Sequence, residues 1–166
     1  QQRWYGGETI SLGIGQGYNA FTMLQLATAT STLANGGIYR QPRLVMATQD
    51  PIQRVDRAVA GEEPVNLGFK PENVAVVHQG LIGVAKEGTA ARVFAGTPYQ
   101  SAGKTGTAQA VTIGQKDKYN ASKLEEHQRD HALYMAFAPA DEPQIALAIV
   151  VENAGFGAAQ AAPIAR

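Results

Sequence analysis

Residues 132–140 (ALYMAFAPA) and 144–152 (QIALAIVVE) are two apolar runs separated only by Asp141-Glu142-Pro143. Branched and aromatic residues suit a pleated, half-buried surface, and an acidic-proline cluster between two such runs is turn chemistry. The pair therefore predicts an antiparallel hairpin. Residues 102–113 (AGKTGTAQAVTI) precede a polar stretch, 114–131, and read as a third strand.

Helical segments accompany these strands. Residues 20–34 (AFTMLQLATATSTLA) predict a mostly buried helix, with Asn19 as N-cap and Asn35-Gly36-Gly37 as the stop. Residues 71–88 predict a second helix, with Pro71 at its first position and Gly88 as its end. Val74, Val77, Leu81 and Val84 or Ala85 form its apolar stripe. Between the helices, residues 38–49 alternate roughly around Pro42 and predict an edge strand or two short ones, which residues 51–59 could pair. Residues 1–18 are Gly-rich and read as irregular; residues 153–166 read as a Gly-rich loop entering a helix. This order predicts an α+β fold, an antiparallel sheet flanked by helices.

Composition narrows the function. The formal net charge is +0, which argues against a nucleic-acid surface. There is no cysteine, so a disulfide framework and a thiolate metal site are excluded. Apolar residues make up 45% of the 166, enough for the core of one domain or of a large piece of one. No apolar run reaches the roughly 18 residues of a membrane span, and no signal peptide is visible. The chain starts without Met and stops in AAPIAR. The expectation is one domain, residues 1–166, truncated at both ends, with any membrane anchor outside it.

Three stretches could carry chemistry. In GIGQG, Gly13, Gly15 and Gly17 fit neither phosphate-binding template, and a tight loop entering a helix is the better reading. In EEHQRDH, His127 and His131 stand four apart beside Asp130. On a helix they could share a zinc ion with Glu126 recruited, but Gln128 stands where the zinc-protease motif needs Glu. The alternative is a solvated polar loop in which Arg129 and Asp130 pair. We expect no metal. His78, alone on its helix, reads as structural.

The third stretch, SAGKTGTAQA, holds two overlapping motifs. Ser101-x-x-Lys104 has the spacing of a serine nucleophile activated by a lysine, which needs a helix to bring both onto one face. The surrounding Gly, Thr and Ala favour a strand, where positions three apart point to opposite faces. Lys104-Thr105-Gly106 suits a strand. Its lysine supplies a fixed charge, its threonine a donor for a carboxylate, and its glycine room for a backbone to lie close.

The context of that tripeptide resembles the penicillin-binding proteins. KTGTAQ is followed by YNASK, RDHALYMAFAP and PQIALAIVVEN, and preceded by ISLGIGQGYNAFTMLQLATATSTLANGG. The match is best with the elongation-type class B transpeptidases of the penicillin-binding protein 2 group. The resemblance implies the C-terminal half of a serine β-lactamase-like transpeptidase fold. It implies D,D-transpeptidation of peptidoglycan stem peptides through an acyl-serine, and acylation by β-lactam antibiotics. Lys104 would support proton transfer and anion binding, and Thr105 and Thr107 would bind the terminal carboxylate beside Gly106. The main-chain N–H of Thr107 would be an oxyanion donor. The resemblance further implies elongation-machinery membrane proteins as partners, the periplasmic side of the inner membrane as the location, and no cofactor.

The chain departs from the family pattern in two ways. No Ser-x-x-Lys sits on a helix start, and none of Ser11, Ser31, Ser101 and Ser122 has Asn two residues on. The expectation is a chain that carries the substrate-binding strand without the nucleophile and is inactive alone. The alternatives are a β-lactam- or muropeptide-sensing homologue without turnover, and a D,D-carboxypeptidase or β-lactamase relative.

Overall fold

The computed structural model describes residues 3–111 and 119–166. From the N-terminus, α1 (Gly6–Gly13) and α2 (Met23–Ala34) lead into β1 (Ile38–Tyr39), β2 (Ala47–Gln49), β3 (Asp56–Ala58) and β4 (Val65–Asn66). Next come α3 (Pro71–Lys86), α4 (Ala91–Phe94), β5 (Ala102–Ala108), β6 (His131–Ala138), β7 (Ile145–Val151) and α5 (Gly157–Gln160). The architecture is α+β, as the element order predicts.

β5, β6 and β7 form an antiparallel sheet in that order, and the β6–β7 hairpin is the one the two apolar runs predict. Thr105 stands opposite Tyr134, which stands opposite Ile149. Side chains alternate across the sheet, so each face builds its own core. Ala132, Tyr134 and Ala136 pack with Phe94 of α4 and with Ala161 and Ala162 beyond α5. Phe137 and Ala102 pack with Leu81 of α3, and Leu33 of α2 closes that side.

α3 begins at Pro71 as expected, with Val74, Leu81 and Ala85 buried. Val77 is 45% exposed and does not belong to the stripe. His78 takes that turn of the helix instead. Its Nε2 lies 2.8 Å from Leu33 O and its ring centroid 5.0 Å from that of Phe137, a structural placement. Gly88 ends the segment: its N–H bonds Gly83 O, and an added Cβ would lie 2.8 Å from Val84 Cα.

Other expectations are corrected. Part of residues 1–18 is helical: α1 starts where the Glu8 carboxylate accepts the Tyr5 N–H at 2.6 Å. Thr22, not Asn19, caps α2. Its hydroxyl accepts the Gln25 N–H and the Gln25 side chain accepts the Thr22 N–H, a reciprocal box. Asn19 donates backwards to Leu12 O and Gln16 O. α2 is also less buried than expected, since Leu24 is exposed and Thr30 and Thr32 are its buried residues. Their hydroxyls bond the carbonyls four residues back, which removes the cost of burying them. Residues 38–49 form two short strands. β2 pairs with β3 as expected, whereas β1 pairs with β4. The third strand ends at Ala108, and positions 112–118 of the predicted strand and polar stretch lie outside the described residues.

Candidate active site

β5 has β6 on one side and no strand on the other among the described residues. Two contacts show which way its main chain faces. Lys104 Nζ donates to Thr105 O at 2.8 Å, and Gln16 Nε2 donates to Thr107 O at 2.8 Å. In an antiparallel ladder a residue's N–H and C=O point to the same side. Thr105 and Thr107 therefore turn their main-chain groups to the open edge, while Lys104 and Gly106 pair with β6.

Lys104 is exposed and makes no ion pair among the described residues. The Thr105 hydroxyl is 2.8 Å from the Thr89 hydroxyl, in the turn just after α3. Residues 104–108 line a cleft of about 790 Å³, walled opposite by the α1–α2 connection and floored by Leu133 and Met135. Two glycines allow this strand to seat. Gly103 lies against Tyr134, where an added Cβ would come 2.5 Å from the phenol oxygen. Gly157, opening α5, lies on Gly106 and Leu133 so closely that a Cβ would overlap both carbonyl oxygens. An open strand edge with a cation, a hydroxyl and outward N–H groups can hold an extended peptide that carries a carboxylate.

The structure separates the overlapping motifs. Ser101 precedes β5, is 4% exposed, and lies beside the Tyr134 hydroxyl on the face opposite Lys104. Lys104 bonds Thr105 O and not Ser101. Burial pushes the Tyr134 phenol up to about 12, and the Ser101 hydroxyl opposes this only in part. The Tyr134 oxygen finds no partner in hydrogen-bonding geometry.

The paired histidines are not on a helix. His127 lies in a 3-10 turn, 3.5 Å from the Glu125 carboxylate, whereas His131 opens β6 and accepts the Asn153 N–H at 2.9 Å. No group of three His, Asp or Glu among the described residues could hold a metal. Arg129 and Asp130 do not pair. Asp130 is buried by main-chain ties instead: its N–H donates to the Tyr119 hydroxyl and its C=O accepts the Gly155 N–H. Sequence reasoning missed Thr89, Gln16 and Gly157. The first two lie 16 and 91 residues from their partners, and no local pattern marks either contact.

Comparison with known proteins places the chain in a family. The family model described as penicillin binding protein transpeptidase domain matches residues 1–166. The peptidoglycan D,D-transpeptidase MrdA of Escherichia coli is 41% identical over 158 residues, covering 94% of this chain and 25% of that protein. The crystal structure of Pseudomonas aeruginosa PBP2 in complex with WCK 5153 superposes with a TM-score of 0.77 at 38% identity, over 99% of this chain and 32% of that one. PBP2 of Helicobacter pylori, solved in complex with MreC, superposes at 0.73 with 25% identity, over 99% of this chain and 27% of that one. This chain thus spans about a quarter of the length of its curated relative. With a family model matched along its whole length and the Lys-Thr-Gly strand at an open sheet edge, the chain belongs to the penicillin-binding protein transpeptidase family.

Proposed function

We propose that this chain supplies the substrate-binding edge of a peptidoglycan D,D-transpeptidase of the penicillin-binding protein 2 type. The observation that carries this is the outward main chain of Thr105 and Thr107 beside the exposed Lys104 ammonium. A stem peptide ending in D-Ala-D-Ala lies along β5. Its carboxylate meets the hydroxyls of Thr105 and Thr107 and the charge of Lys104, close against Gly106. The Thr107 N–H takes the oxyanion that forms when a serine attacks the penultimate carbonyl; such a preorganised donor contributes roughly 3–4 kcal/mol. The attacking serine lies outside these 166 residues. Collapse of the oxyanion breaks the D-Ala-D-Ala bond and releases the terminal D-alanine. An amine of a second strand then takes the acyl group and frees the serine, and β-lactams acylate the same serine. The same reading gives a site on the periplasmic face of the inner membrane and partnership with elongation-machinery proteins, as the H. pylori relative has with MreC.

The test is covalent labelling with a fluorescent penicillin. The 166-residue chain takes up no label and its intact mass stays unchanged. In the full-length protein Ser101→Ala still labels and Lys104→Ala labels poorly. A stoichiometric adduct on Ser101 in the isolated chain would overturn the assignment.

A further inference from the structure

The turn Gly15-Gln16-Gly17 fits no phosphate template, yet its construction is specific. Gly15 (φ 78°) and Gly17 (φ 66°) both adopt the left-handed conformation that glycine takes without strain. They fold the chain tightly around Gln16. The Gln16 N–H donates to Ser11 O at 2.9 Å, and its C=O accepts from Asn19 Nδ2 at 3.2 Å. With its main chain held on both sides, the side chain reaches across the cleft to β5. Nε2 donates to Thr107 O at 2.8 Å, and Oε1 accepts the Gln109 N–H at 3.3 Å. The carboxamide stands where a peptide group of a neighbouring strand would stand.

We propose that Gln16 is a positioning residue for the reaction. Among the described residues β5 is laddered on one side only, and it contains Gly103 and Gly106, so its open edge is soft. Gln16 holds the peptide planes that follow Thr107 and so keeps the Thr107 N–H aimed at the developing oxyanion. It also occupies the edge beyond Thr107, so main-chain pairing by an extended ligand stops there. The inference rests on the transpeptidase reading above.

The experiment measures acylation of the full-length protein by a fluorescent penicillin, at saturating and sub-saturating drug. Gln16→Ala slows acylation at saturation by about tenfold and changes the apparent dissociation constant little, because it misaligns a transition-state donor and removes no ligand contact. Gln16→Glu keeps an acceptor for the Gln109 N–H but offers Thr107 O no donor when ionised. Protonation restores that donor, so its rate relative to the native protein climbs as the pH falls towards the usual glutamate range, about 4.3. A purely structural role produces no such profile. Gln16→Ala acylating at the native rate, or Gln16→Glu tracking the native pH dependence, would overturn the proposal; if Gln16→Ala does not fold, the Glu profile decides. A native protein that takes no label removes the transpeptidase reading itself, whereas native labelling with unaffected Gln16 variants removes only the positioning role.

Discussion

Thr105 shares its hydroxyl with Thr89, so its rotamer is set before any ligand arrives. Thr105→Val keeps the shape and removes the hydrogen bonds; a partner left one donor short costs about 1–3 kcal/mol. Acylation of the full-length protein by a carboxylate-bearing β-lactam should slow by roughly ten- to a hundredfold, at 1.36 kcal/mol per decade. Unchanged kinetics would take Thr105 out of the site. Tyr134 makes a different prediction. Tyr134 is 1% exposed, and burial holds its phenol at about 12, above the ordinary tyrosine value of 10.0. The folded state therefore keeps a proton that the unfolded chain releases. The stability this represents is complete below pH 10 and is lost as pH rises towards 12, by roughly 2–3 kcal/mol. Tyr134→Phe should cost little at pH 7, since the hydroxyl has no bonded partner, and should flatten the decline between pH 10 and 12. Urea midpoints across that range, native against variant, check it; parallel curves would refute it.

At the scale of elements, the seat of α5 on the sheet is the most demanding contact. Gly157 touches the main chain of Gly106 and Leu133, so the start of α5 and the strand β5 share one close approach. Gly157→Ala places a methyl group against two carbonyl oxygens that ladder hydrogen bonds hold still. The expected loss is roughly 1–3 kcal/mol, the range for overpacking a close-packed site. A lowered urea midpoint with slower penicillin acylation would show that the two elements move together; a midpoint within error of native would contradict the contact. The ends of α2 and α3 show how much of such detail is local. Pro71 and Gly88 are legible because each acts on its own backbone. Thr22-x-x-Gln25 is legible in the same way, but Asn19 is an equally good cap by residue type, and it was spent on closing the α1 turn.

At the scale of the whole molecule, the hairpin exposes apolar surface only on β7, at Ile145 and Val150, and further apolar surface lies near the cleft. β6 is buried or half-buried throughout, whereas Ile14 and Phe21, which line the cleft, stand exposed, as do Ile10 on α1 and Leu24 on α2. Apolar patches of this kind drive association. The isolated chain should self-associate at micromolar concentration, with sedimentation velocity as the check; a monomer that unfolds sharply at every concentration would count against it. The amino-acid sequence by itself determined the β6–β7 hairpin, α3 and the placing of Lys104-Thr105-Gly106 on a strand. Periodicity, proline and turn chemistry act within a few residues, so no distant partner is needed to read them. Tertiary structure alone decided that His78 fills the core stripe, that Gln16 closes the edge at Thr107, that Thr89 holds Thr105, and that Gly157 must be glycine. Each of these depends on a neighbour that chain folding brings from 16 to 91 residues away or from another element, and a neutral amide or hydroxyl carries no sequence signal of the group it will meet.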